Sequence, residues 1–419
     1  MALAVHDPSD ERSRERAILF FTCTAHALAH IYTLIHPSVL LAMAASFALN
    51  QEEFLRYATI GSVLFGVGAL PAGWLSDRLG EKTLLVAFFF LTAAGGSVLG
   101  AADSHRALAI GFALLGTGAS IFHPVGNAMI SKGIRVPGKA MGINGLWGSL
   151  GTALAPILAY QIAAWSDWRW IYLSLAVPTV LLGISLMRTA IPITTRPSTA
   201  PDKMEHGSQP APAPPTGSSP PSNWFWIITL LLGATSLGGF YFFLVTTILP
   251  SHFEAHIHFS ADTQSRAAAY GIGVCYAVGG AGQVIAGNLM QRYEGRGLYA
   301  AVLACAAPLI FWVGSSEDVT LLGATAFMAT FIFAAQPVEN VLLARYSPAR
   351  YRGLIFGSKF ILAFGLGGLG TWVAGLITEE YSTRAVFTVA SAVTAGSALL
   401  ILLALVLPRW WKQPRQAQS

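Results

Sequence analysis

The stretch CTAHALAHIYTLIHP, residues 23–37, places one thiol and three imidazoles in an otherwise apolar segment. At about 100° per residue, Cys23, His26 and His30 fall within an arc of roughly 60° on one helix face, while Tyr32 and His36 point elsewhere. Imidazoles exchange protons near physiological pH, so His26 and His30 suit proton transfer. With Cys23, the same spacing offers the ligand types of a soft or borderline transition metal. His123 stands beside Pro124 in FHPVGNAMISKG (122–133), with Asn127 one turn on. Two charged side chains complete the set: Glu339 in AQPVENVLLARY (335–346) and Lys359 in GLIFGSKFIL (353–362). Glu339, His26, His30 and His123 are the candidate proton carriers. Lys359, Asn127, Asn340, Tyr32, Asn144, Trp147, Tyr241 and Gln336 are the candidate contacts for a solute, with Thr246, Thr247, Tyr276 and Gln283 as secondary ones.

What must position these residues follows from the composition. The 419-residue chain is 54% hydrophobic and 11% charged, against about a quarter charged in soluble proteins. Its mean hydropathy is +0.57. Apolar runs long enough to cross ~30 Å of hydrocarbon recur along it. Spans are expected at 17–45, 55–76, 83–101, 107–131, 139–165, 169–190, 224–250, 265–290, 298–314, 319–345, 353–377 and 384–408. No cleavable leader is expected: residues 1–16 are polar and the first apolar run is too long. Cys23, Cys275 and Cys305 fall within spans, and their odd number argues for free thiols.

An even number of spans puts both termini on one side. Most of the 25 lysines and arginines lie on that side, whereas Arg56, Arg106, Arg169, Arg266 and Arg384 lie opposite. The positive-inside rule therefore makes the termini cytoplasmic. It also accounts for a pI near 9.2 without a nucleic-acid partner. Once the loops have taken their charges, one acid and one base remain within spans, Glu339 and Lys359. Each lies ~9 Å deep on consecutive antiparallel helices, where they can pair. A structural ion pair, or a snorkelling Lys359, is the alternative to a coupling role.

Residues 191–223 are rich in proline and lack apolar periodicity, which reads as a tether between an N-terminal bundle, 1–190, and a C-terminal bundle, 224–419. The halves repeat. FHPVGNAMISKG and AQPVENVLLARY share P-V-x-N, and GWLSDRLGEK (73–82) returns, eroded, as GNLMQRYEGR (287–296). Such repeats imply two homologous helical bundles around a midplane cavity.

Gly73-x-Leu75-x-Asp77-Arg78-x-Gly80-x-Lys82, between spans 2 and 3, resembles the signature loop of the major facilitator superfamily. The chain as a whole is similar to that family. Phe122-His123-Pro124, the glycine run from Phe364 to Gly370, and His26-x3-His30-x-Tyr32 with Pro37 resemble fosmidomycin-resistance-type exporters and related bacterial permeases. The chain departs from usual drug/proton antiporters in having Phe112 where they carry a span-4 arginine. It departs again in the span-5 glycines Gly142, Gly145, Gly148 and Gly151, which lead to Ala155-Pro156.

The resemblance implies an all-α membrane protein with twelve transmembrane helices in two pseudo-symmetric six-helix bundles, working by alternating access in the bacterial inner membrane. It implies that Gly73, Asp77, Arg78, Gly80 and Lys82 form a gate that latches the halves when the outside is open, and that protons supply the driving force. A small polar or anionic organic solute is the expected cargo, with export favoured. The interior reads as too polar for a purely lipophilic drug. No cofactor is expected, and the partners are the solute, protons and lipid, with the chain acting as a monomer. No phosphate-cradling loop or soluble catalytic domain supports an enzyme. Two alternatives stand beside this reading. One is a Cu/Zn/Ni permease using Cys23, His26 and His30, with His252, His256 and His258 as a collecting site. The other is a non-transporting receptor on a transporter fold.

Overall fold

The structure is a computed structural model describing residues 8–191, 223–258, 261–290, 292–348 and 351–410. The proline-rich segment read as a tether falls at 192–222, outside the described residues. The first half comprises α1 (Pro8–Ser38), α2 (Leu40–Ser46), α3 (Gln51–Val67), α4 (Ala69–Leu79), α5 (Glu81–Gly100), α6 (His105–Gly133), α7 (Pro137–Trp165) and α8 (Arg169–Arg188). The second comprises α9 (Trp224–His256), α10 (Ala261–Leu289), α11 (Gly295–Ser315), α12 (Asp318–Tyr346), α13 (Arg352–Phe360), a π-helical segment Ile361–Leu366, α14 (Gly367–Glu380) and α15 (Thr383–Trp410). No strand occurs among the described residues.

Among the described residues, eleven helical runs, Leu354–Glu380 counted as one, are long and apolar enough to span a membrane, and α3 with α4, bent by 46°, makes twelve. Gly68 sits at that bend. The first expected span, 17–45, is instead two helices: α1 ends at Ser38, just after Pro37, and α2 follows Val39. Large apolar side chains such as Phe311, Phe327 and Leu403 are exposed on the surface, as expected where lipid is the solvent.

Local signals set the helix ends. Asn50 caps α3 in a box with Glu53, each side chain meeting the other's backbone N–H, a device contributing about 1 kcal/mol. Ser104 caps α6 through the Ala107 N–H. Gly80 joins α4 to α5 at φ 87°, a conformation in which a Cβ would clash.

The packing repeats from half to half. In the first, α5 packs on α6 and α8, and α3 on α6; in the second, α11 packs on α12 and α15, and α10 on α12. The two bundles then meet along two seams, α7 against α10 and α3 against α14. The closest approach on the second seam is at Gly66, where an added Cβ would lie 1.9 Å from the Gly365 backbone nitrogen. Gly365 belongs to the π-helical segment, whose wider turn brings its backbone to the seam.

Candidate functional site

Three histidines meet at the centre of the first bundle. His26 and His30, one turn apart on α1, have their Nε2 atoms 3.2 Å apart. From α6, His123 brings its ring centroid to 5.3 Å from that of His26 and 5.9 Å from that of His30. The Nδ1 of His26 lies 2.8 Å from the Asn144 backbone oxygen on α7, and 2.9 Å from its side-chain oxygen. A carbonyl oxygen only accepts, so Nδ1 carries the proton and Nε2 keeps its lone pair. Asn144, expected to touch solute, is 3% exposed and positions His26.

His123 also joins the bundles. Its ring stacks with Phe65 of α3 and with Phe360 and Phe364 of the second half, each with centroids 5.8 Å away. Next to Phe360 in the chain is Lys359. The Lys359 ammonium is 2.9 Å from Glu339 Oε1 and also donates to the Asn340 side-chain oxygen. Tyr299 of α11 donates to the other Glu339 oxygen at 2.9 Å. The charged residues are 8% and 6% exposed, so pairing is what makes their burial tolerable. The acid and base left within the spans by the sequence thus meet, joined by Tyr299, which sequence reasoning missed.

A cavity of about 40 Å³ opens on the side of His30 away from the chain termini. It has room for a few waters. His30, Thr33 and His36 of α1, Ser62 and Phe65 of α3, Phe112 of α6, Phe242, Phe243, Thr246 and Thr247 of α9, and Phe364 line it. Thr246 and Thr247 were secondary candidates; the phenylalanines were not. The expectation was an interior too polar for a purely lipophilic drug; the wall sets phenylalanines and aliphatic residues beside two histidines, three threonines and Ser62. Lys359, Asn127, Asn340, Tyr32, Asn144, Trp147, Tyr241 and Gln336 are not among its lining residues.

Several expectations need correcting. Tyr32 is fully buried inside the first bundle, its hydroxyl 3.2 Å from Thr179, where it packs helices and does not meet the cavity. The third member of the metal-type cluster is His123, not Cys23, whose sulfur lies 4.0 Å from the Asn144 amide. The nitrogens of His252 are taken by Thr383 and the Val313 carbonyl, and those of His256 by Arg384 and its own helix, so they do not form a collecting site. Glu52 and Glu81 fall outside the expected spans, at 55–76 and 83–101, yet are 5% and 4% exposed. Tyr241 is 3% exposed, Trp147 is 40% exposed, and Asn127 and Gln336 are exposed.

The signature loop is held within its own half. Lys132 of α6 lies 2.6 Å from Glu81 and 3.4 Å from Asp77. Arg78 covers the Trp74 ring at 3.8 Å, and Lys82 donates to the Met187 carbonyl at 3.1 Å. Gly73 is not needed for close approach, since an added Cβ would make ordinary contact with Pro124 at 3.6 Å. Polar ties between the bundles lie elsewhere. Trp372 donates to Glu52, Asn50 donates to Glu379 at 3.3 Å, and Gln161 donates to Tyr270. These three sit toward the face opposite the chain termini, while Ser62 with Thr371 at 3.3 Å and Gln283 with Ser149 at 3.2 Å tie the two seams deeper in. At the other end of the α7–α10 seam, an added Cβ on Gly142, Gly145 or Gly287 would meet nothing within 4 Å. The α7–α10 seam is thus fastened toward the face opposite the termini and open at its other end, while α13 still touches α4 on the side of the termini. Replacing Trp372 with phenylalanine removes the donor to Glu52 and should loosen the α3–α14 seam at the face opposite the termini. A cysteine at Thr246 should then react faster with a thiol reagent added at that face; an unchanged rate would mean Trp372 is not part of the closure.

Two repeated bundles, the first holding three clustered histidines and the second a buried acid–base pair, define the class: a polytopic α-helical membrane protein. The chain belongs to the Major Facilitator Superfamily, whose family model matches residues 21–369. It is 26% identical to the fosmidomycin resistance protein of Escherichia coli K12 over 401 residues, covering 90% of this chain and 91% of that one. It is 25% identical to the galactose-proton symporter of the same organism over 187 residues, 43% of this chain and 40% of the relative. A protein described as a multidrug resistance protein, MdtD of Pectobacterium atrosepticum, is 31% identical, but the match spans only 33% of its length and 36% of this chain. The crystal structure of the Escherichia coli fucose:proton symporter FucP, in a variant form, shares the fold, with TM-score 0.58 and 14% identity over 92% of this chain and 98% of that one.

Proposed function

We propose that the protein is a proton-coupled secondary transporter of a small anionic organic solute carrying an apolar body. The observation that carries this reading is the buried Glu339–Lys359 pair at 2.9 Å, beside the histidine cluster and the seam that must move. An acid held by a base can trade its negative charge for a proton, or yield the base to an anionic solute. The aromatic cavity wall suits an apolar body, and Thr33, Thr246 and Thr247 offer hydroxyls to a polar end. The likeness to a fosmidomycin resistance protein over nearly the whole chain favours export, and the proton symporter relative is in keeping with proton coupling.

The chain acts as a monomer, since the cavity lies between its own two halves. It sits in a bacterial inner membrane, with termini cytoplasmic by the charge asymmetry of its loops. Movement between states rocks one bundle on the other about the α7–α10 and α3–α14 seams, with Asp77 and Arg78 exchanging Lys132 and Trp74 for partners in the second half when the opposite face opens. The test is purified protein in vesicles loaded with a pH-sensitive dye and challenged with a panel of organic anions, fosmidomycin among them. A saturable, solute-dependent proton flux is expected. Solute movement without proton movement would end the coupling claim, and movement of neutral solutes alone would end the anion claim.

A further inference from the structure

We propose that His26, His30 and His123 form a binding site for a divalent transition-metal ion of the zinc, nickel and copper class, on the floor of the cavity between α1 and α6. One ring nitrogen from each lies within 4.8 Å of the others. The His26–His30 separation of 3.2 Å is close to the ~3.3 Å between two nitrogens that each sit about 2.0–2.1 Å from a tetrahedral zinc ion. Bringing His123 to the same spacing needs a shift of an ångström or so in one side chain.

Two further observations point to a ligand. His26 donates its Nδ1 proton to the Asn144 carbonyl, the arrangement by which metal-binding histidines are oriented, leaving the Nε2 lone pair facing His30. His123 is 8% exposed, and its Nε2 is buried with no hydrogen-bond partner. An orphaned buried nitrogen costs about 1–3 kcal/mol, a cost that coordination would remove. Three neutral imidazoles and no carboxylate select a borderline transition metal over calcium or magnesium, which require oxygen ligands. His30 also lines the cavity, so a fourth coordination position on its side can take water or an anion. The three ligands belong to one bundle, and occupancy therefore does not weld the halves together.

The site borders the cavity of the proposed transport activity through His30 but is tested without transport. Full-length protein carrying a histidine-free tag is purified in detergent, stripped with a chelator and titrated with Co²⁺ or Zn²⁺. One metal per chain after gel filtration and the visible bands of tetrahedral cobalt are expected. His30→Gln and His123→Gln should each weaken binding at least tenfold. Asn144→Ala should weaken it by about 10–100-fold while the cobalt spectrum persists, because Asn144 only positions a ligand. Substoichiometric metal on the wild-type chain would overturn the proposal. So would variants, still helical by circular dichroism, that bind as the wild type does, or binding lost only on changing His256 and His258. Failure here leaves the transport reading standing, and failure of transport leaves metal binding to be judged by the cobalt spectrum.

Discussion

Replacing Glu339 with glutamine should abolish proton-driven accumulation of solute while exchange of labelled for unlabelled solute persists at a reduced rate. Glutamine keeps the size of the side chain and can accept from Tyr299, but it cannot carry the charge that now sits 2.9 Å from Lys359. Removing one partner of a buried pair costs about 3–5 kcal/mol because the other is left uncompensated, so the variant should also melt earlier. The double variant Glu339→Gln with Lys359→Met removes both charges and should recover much of the lost stability without recovering coupling. That split separates a structural pair from a coupling one. Accumulation within twofold of wild type in Glu339→Gln would retire the coupling role, leaving an ion pair that only holds α12 to α13.

The second large effect is expected at Gly66. An alanine there would place its Cβ 1.9 Å from the Gly365 nitrogen and 2.4 Å from the Phe364 carbonyl carbon. Both obstacles are backbone, so no rotamer change can relieve the contact. Overpacking in a rigid interior typically costs 1–3 kcal/mol; here the strain falls on the seam between bundles and should be relieved by parting them. Gly66→Ala should therefore lower transport at least tenfold with helical content retained by circular dichroism, whereas Gly66→Val should also impair folding. Gly142→Ala, where an added Cβ meets nothing within 4 Å, is the control and should behave as wild type. A Gly66→Ala protein that transports normally would show that the α3 contact with the π-helical segment is not part of the moving seam.

Much of this architecture was legible before any coordinates, for reasons particular to membranes. Backbone groups in hydrocarbon must be satisfied internally, so long apolar runs can only be helices or closed barrels. Charge is so costly there that subtracting loop charges isolated Glu339 and Lys359, and the helical rise alone put them at matching depth. The repeat of P-V-x-N foretold two related bundles. The expectation was poorest at the edges of the hydrocarbon: Glu52 and Glu81, outside the expected spans, are buried at helix ends because Arg56, Trp372 and Lys132 reach them.

By itself, the sequence determined the type of the elements, a number of spans close to that observed, and the scarcity of ionisable groups between the faces. Those are properties of composition along one axis, where hydrophobicity and a fixed rise per residue suffice. Only the tertiary structure decided that His123 and not Cys23 closes the imidazole cluster, that Tyr299 holds Glu339, that Tyr32 is packing, and that five phenylalanines stand in the cavity wall. The period of a helix tells which residues share a face. Which neighbour that face meets depends on the rotation and tilt of every helix around it, set by the joint packing of both bundles.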